Sequence, residues 1–283
     1  MVANKTIVDP FVRRAMASEN GRKPYFELKH VFKSFGSDPV LDDVSFAVMP
    51  GETVCVLGRS GVGKSVSLRI FMGFLKPDAG RVITAGEDIT DYSEEELERI
   101  HRKATMVFQN GALFDSLTVY ENVAFPLRER GDLAEEQIEL IVDGLLDLVK
   151  IKPLRDCLPS EISTGMKRAV AIARALAARP EAILYDEPTT MVDPLMARRL
   201  GSLMGRLKAQ LSLTSMVVTH DMRLVSQIAD HVVFLNRGKV IFFGTNEEME
   251  HTSEPLVQQF LQLDRVDQRT ALSVLEPRRS LVV

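Results

Sequence analysis

Thr53-Val54-Cys55-Val56-Leu57-Gly58-Arg59-Ser60-Gly61-Val62-Gly63-Lys64-Ser65 is the stretch that decides the fold. Its first half is an apolar run of the kind that forms a strand buried on both faces. Its second half, Gly58 to Ser65, fits Gly-x-x-x-x-Gly-Lys-Ser/Thr in full, and KSVSLRIFMGFL (64–75) continues as a helix. Strand, glycine-rich loop and helix in that order make a phosphate cradle. The glycines let the backbone curl tightly around an anion, and the helix N-terminus adds its positive end. On this pattern Lys64 reaches the terminal phosphates and the Ser65 hydroxyl binds Mg²⁺.

Working outward, the chain alternates between strand and helix patterns. Upstream, YFELKHVFKSF and VSFAVMP read as strands, the second stopped by Pro50-Gly51. Downstream come a turn at KPDAG (76–80), a returning strand RVITAGEDI, and a helix at SEEELERIHR opened by Ser93 with acids in its first turn. A strand ATMVFQ leads into a mostly helical stretch from about 116 to 150, and a long helix is expected over 163–178. Then follow strand AILYDE (182–187), helix 194–210, strand SMVVTH (215–220), helix 222–228 and the hairpin HVVFLNRGKVIFFG. Strands alternating with helices imply a mostly parallel, covered sheet, and the helical stretch after Gln109 should form a separate lobe.

Two acids close the strand AILYDE. An acid at the end of a strand neighbouring the phosphate loop completes the Mg²⁺ shell in phosphate-loop ATPases, and Asp186 is placed for that. Glu187 is then placed to polarise the attacking water as general base. His220 ends another strand on the edge where open α/β sheets bind ligands, and is a candidate contact for the terminal phosphate.

The composition is that of a globular protein, 45% apolar and 26% charged, with a formal charge of −4. Nothing in that charge argues for a nucleic-acid surface. Cys55 and Cys157 form no Cys-x-x-Cys pair, so structural zinc is not expected, and Cys55 reads as core. No segment approaches the roughly 20 apolar residues that span a bilayer. The start lacks the apolar core of a signal peptide, so the chain is expected to stay in the cytoplasm, with any membrane role coming through a partner.

Over roughly residues 25–250 these pieces resemble the ABC ATPase family. The resemblance implies an α/β, P-loop NTPase (RecA-like) core with an antiparallel β-subdomain and a helical signature subdomain. Gln109 in VFQNGALF matches the glutamine that leaves the core for the helical lobe and touches Mg²⁺ or water. Ile162-Ser163-Thr164-Gly165-Met166 matches the signature LSGGQ, which caps the nucleotide held by the opposite subunit. Thr164 and Met166 depart from it, and Val66 stands where a second hydroxyl residue often follows the loop. Phe35 matches the aromatic platform for adenine, its alternative being a core side chain. Asp193, in Met191-Val192-Asp193-Pro194, would sit at the seam between two copies. ATP and Mg²⁺ are the implied cofactors. A homodimer and an integral-membrane permease are the implied partners.

A narrower likeness, to the ATPases of Mce-type phospholipid transporters including the Mla class that maintains outer-membrane lipid asymmetry, rests on GRSGVGKSV, MVFQNGALFDSLTVYENVAFPLRE and LPSEISTGMKRAVAIARAL. It implies further Mce-type subunits. Residues 110–127, with Leu113, Phe114, Leu117 and Val119, are read as part of a groove for a short helix of the membrane subunit, or else as internal packing. The expected organisation is an arm at 1–24, the ATPase domain at 25–262 with its helical subdomain at about 110–165, and a tail at 263–283 that either hangs free or docks on a neighbour. Competing readings are a different ABC importer or exporter, a soluble ABC ATPase acting on DNA or ribosomes, and a nucleotide kinase. The kinase would not need Gln109 or the signature helix.

Overall fold

The computed structural model describes residues 23–264. Most of the expected arm and tail therefore lies outside the described residues. A six-stranded sheet orders β10 (Lys239–Gly244), β9 (His231–Asn236), β3 (Thr53–Leu57), β8 (Thr214–Val218), β7 (Ala182–Asp186) and β6 (Ala104–Val107). Its pairs are parallel except the β9–β10 hairpin at the edge. A second, antiparallel sheet orders β2 (Asp38–Val48), β1 (Phe26–Phe35), β4 (Ala79–Thr84) and β5 (Glu87–Asp88).

The main sheet is covered on both faces, which is why its strands read as unbroken apolar runs rather than alternating ones. On β3, Cys55 and Leu57 enter one core and Val54 and Val56 the other. The first core holds α3 (Val119–Arg130), α4 (Glu135–Leu148), α5 (Thr164–Ala177), α6 (Pro194–Leu211) and α7 (Met222–Ile228). The second lies toward the antiparallel sheet with α1 (Lys64–Phe71) and α2 (Glu94–Lys103).

Helix ends follow local chemistry. Ser93 and Thr118 each close a capping box, with Glu96 and Glu121. Asp193 caps α6 by accepting from the Met196 N–H at 2.9 Å, and Pro194 opens the first turn. The expected helix 64–75 stops at Phe71, because Gly73 turns left-handed at φ +70°. The expected turn at 76–80 already enters β4 at Ala79, and β2 starts at Asp38, well before VSFAVMP. Helix 222–228 and both hairpin strands fall where expected. A short helix α8 (Asn246–Glu250) and a helix over 255–264 close the described chain.

Candidate functional site

Register places the site. Val56 on β3 and Asp186 on β7 both pair with Val218 on β8, and Val107 on β6 pairs with Tyr185. The residues leaving these parallel strands, Gly58, Glu187, His220 and Gln109, therefore emerge at one edge, the edge at which open α/β sheets take their ligands. There they line a cavity of about 670 Å³ together with Phe35, Val40, Arg59, Ser60, Gly61, Gly63, Lys64, Ser65, Val66, Thr190 and Phe260.

The loop is held by its back. A Cβ on Gly58 would stand 2.4 Å from the Leu235 carbonyl oxygen, and one on Gly63 would stand 2.7 Å from that of Val40. Both also take positive φ, so no other residue follows this path without strain. The Val62 side chain packs, partly buried, against the core behind the loop and is absent from the cavity lining, which leaves only its backbone N–H for the cradle. An apolar side chain beside Gly58 is worth more buried than facing a polar anion site.

Lys64 is buried, and its ammonium donates to the carbonyls of Gly58 at 2.8 Å and Arg59 at 3.1 Å. It also stands 3.5 Å from Glu187 Oε1. The Ser65 hydroxyl donates to Asp186 Oδ1 at 2.7 Å. Burial pushes the Asp186 carboxyl above its usual range, helped by the neighbouring Glu187 charge and resisted by the Ser65 hydrogen bond. Such a buried carboxylate is relieved by a cation. Mg²⁺ prefers oxygen donors and keeps waters and phosphate oxygens in its shell. Ser65 Oγ and Asp186 fit that preference, with Gln109 on the same cavity. Among the described residues no group of three or more His, Cys, Asp and Glu could hold a metal alone, so phosphate oxygens would have to complete the shell.

Glu187 takes φ +47°, its N–H donating to Val218 O at 2.9 Å. Its Oε2 accepts from Thr190 Oγ1 at 3.0 Å and lies 2.9 Å from His220 Nδ1. Burial pushes its carboxyl up. The His220 hydrogen bond and charge, with Lys64 and Thr190, more than offset that and hold it below the ordinary glutamate range. The same bond raises the His220 imidazole above its usual range against burial. An acid kept ionised in this way can orient a water or take its proton.

Ser163, Thr164, Gly165, Met166 and Asp193 do not line this cavity. Ser163 caps α5, its Oγ accepting from the Met166 N–H at 3.3 Å, and it stands exposed with Thr164. Gly165 is buried against α6, where a Cβ would meet Met196 Cγ at 2.3 Å. Three lining residues were not singled out in the sequence. Thr190 had a signal, the Pro-Thr-Thr run after the paired acids. Val40 and Phe260 had none, because they reach the cavity from the antiparallel sheet and the last helix.

A phosphate loop and paired acids at the carboxyl edge of a parallel sheet define a P-loop nucleotide-binding protein. The family model described as ABC transporter matches residues 41–190, and the chain belongs to that family, as an ABC-type ATPase subunit. It is 38% identical over 250 residues to the "Probable ribonucleotide transport ATP-binding protein mkl" of Mycobacterium leprae, covering 87% of this chain and 72% of that protein. It is 38% identical over 235 residues to the intermembrane phospholipid transport system ATP-binding protein MlaF of Haemophilus influenzae, covering 83% and 89%. Among solved structures, the dimeric post-hydrolysis state of the ATP-binding cassette MJ0796 bound to ADP and Pi matches with a TM-score of 0.73 at 32% identity, covering 78% of this chain and 98% of that one.

Proposed function

We propose that this chain binds MgATP in the Gly58–Ser65 cradle and hydrolyses it to drive a membrane permease that moves phospholipid between membranes. The observation carrying the reading is the joined cluster Ser65–Asp186 and Lys64–Glu187–His220 in one cavity with Gln109 and Phe35. Phe35, 52% exposed, offers a ring face for adenine. Lys64 swings from its loop carbonyls to the β- and γ-phosphates. Ser65, Asp186 and Gln109 would hold Mg²⁺, which would supply positive charge against the phosphates. Glu187 orients the water and takes its proton as the water oxygen bonds to the γ-phosphorus and the bond to the bridging oxygen breaks. His220, its side chain 59% exposed, meets the γ-phosphate from the open side.

The signature residues Ser163–Gly165 stand away from the cavity of their own chain, which supports a two-fold pair in which each copy caps its twin's nucleotide. The γ-phosphate then bridges two copies, and its loss lets them separate; that differential contact is what is passed to the permease. Among the described residues no helix is long and apolar enough to cross a membrane. The permease and any Mce-type subunits are read as partner chains. In this reading the pair sits at the cytoplasmic face of the membrane that holds the permease.

The phospholipid assignment rests on the lobe segments quoted above and on the likeness to MlaF. Ribonucleotide transport, for which the mycobacterial relative is named, is the second reading. Purifying the native complex from membranes and identifying its bound molecule decides between them. Phospholipid with a multi-span protein is expected; a bound ribonucleotide outside the ATP cradle overturns the lipid reading.

A further inference from the structure

A second cavity, of about 450 Å³, is walled by the end of α4, by α5 and by α6. It shares no lining residue with the nucleotide cavity. Its floor is apolar. Val149 and Ile151 after α4, Ala169 on α5, and Leu200 and Leu203 on α6 all line it and are buried. Leu195 lines it too and is 61% exposed, so its apolar surface stays in water unless a ligand covers it. The volume falls in the range of pockets that take small molecules, roughly 300–1,000 Å³.

The rim carries the opposite chemistry. Lys150, Arg198, Arg199 and Arg206 line the same cavity and are exposed. Their side chains make no hydrogen bond or ion pair with any described residue. No Asp or Glu lines the cavity, although acids outnumber bases in this chain and its formal charge is −4. Leu195, Arg199, Ser202 and Arg206 follow one another at helical spacing on α6, so they form a single stripe along the cavity. Like charges gathered on one rim repel each other, and an anion among them relieves the repulsion. The planar fork of arginine matches phosphate oxygens in two-point fashion. Four cations suit a phosphate monoester, which carries close to two charges, better than a carboxylate, which carries one.

We infer that this cavity binds one single-chain amphiphile, its alkyl chain on the apolar floor and its phosphate head on the arginine rim. Such a ligand touches both helices beside the candidate cap. Met166, in the first turn of α5 after Ser163, and Met196, in the first turn of α6 after Asp193, both line the cavity. Gly165 packs against Met196 at the same place. An occupied cavity therefore joins α5 to α6 next to that contact, apart from the nucleotide cradle. The inference does not depend on what the permease moves.

The test is calorimetric titration of the full chain in excess MgADP, so that the Gly58–Ser65 cradle is filled. The probes are dodecyl phosphate, the neutral dodecyl maltoside and inorganic phosphate, each amphiphile kept below its micelle concentration. One dodecyl phosphate per chain should bind at least about tenfold more tightly than the maltoside, the scale of one charge-assisted hydrogen bond. Its affinity should fall with added salt, and saturation should raise the melting temperature. The double variant Arg199→Gln with Arg206→Gln alters exposed side chains only. It should melt like wild type without ligand and bind the two amphiphiles alike. Leu195→Gln should weaken both amphiphiles and leave the preference for phosphate. Equal affinity of wild type for the two amphiphiles overturns the inference, as does a double variant that keeps the preference. Inorganic phosphate bound as tightly as dodecyl phosphate overturns it too, because the floor would then contribute nothing. Binding to vesicles of phosphatidylcholine and phosphatidic acid, but not to the soluble amphiphile, would make the rim a bilayer contact instead. An acidic protein recovered by wild type and not by the double variant, with no amphiphile bound, would make it a protein interface. Either result overturns the inference.

Discussion

Glu187 is the residue at which backbone, charge and hydrogen bonding converge: a left-handed φ, Thr190 and His220 on one oxygen and Lys64 near the other. Glu187→Gln keeps the shape and removes the base. Steady-state hydrolysis should fall about 10²- to 10⁴-fold, the usual share of a general base, while equilibrium dialysis finds ATP binding retained. Lys64→Ala should instead lose binding or turnover outright. The Glu187–His220 bond also makes stability depend on pH. Glutamate held below its ordinary value of 4.5 stabilises the fold above that pH and loses the effect as pH falls through its lowered value. Histidine raised above 6.5 stabilises below that pH and loses the effect as pH rises through its raised value. The pair therefore contributes most between about 4.5 and 6.5, and denaturant melts of His220→Ala should flatten the wild-type pH profile across that window. Lys64, Ser65, Asp186, Glu187 and His220 were legible in the sequence because each sits at a fixed offset from a buried strand. The inward turn of Val62 was not, since it is decided by which residue packs behind Gly58.

At the scale of elements, α5 ties the candidate cap to the body of the molecule. Ser163→Ala should cost about 1 kcal/mol in a denaturant melt, the typical value of an N-cap side chain. Gly165→Ala should cost about 1–3 kcal/mol, because the added methyl overpacks the contact with Met196 and Val192. An Ala substitution at Gly165 that leaves the melt unchanged would show that α5 and α6 approach less closely than described. Element type read well from the sequence, since strands buried on both faces and helices with clear caps announce themselves. Ends read less well. Helix 64–75 ended early at a glycine, and β4 and β2 began early because pairing with β1 extends them into residues with turn-like composition. The exposure of the apolar residues after Gln109 was half legible. Phe114 is exposed as its pattern suggested, but Val119 is drawn into the core by the helix that starts there.

For the whole molecule, the two halves of the proposed catalytic machinery lie on separate surfaces of one chain. Phe114→Glu should leave the isolated chain folded, judged by its melt, and abolish recovery of the membrane partner. Recovery at the wild-type level would remove the groove from the account. The central claim is that a triphosphate cradled by Gly58–Ser65 is capped by Ser163–Gly165 of a second copy. Sedimentation of the Glu187→Gln chain with and without MgATP tests it most directly. The account predicts one copy without nucleotide and two copies with it; a chain that binds ATP yet sediments as a single copy would contradict it.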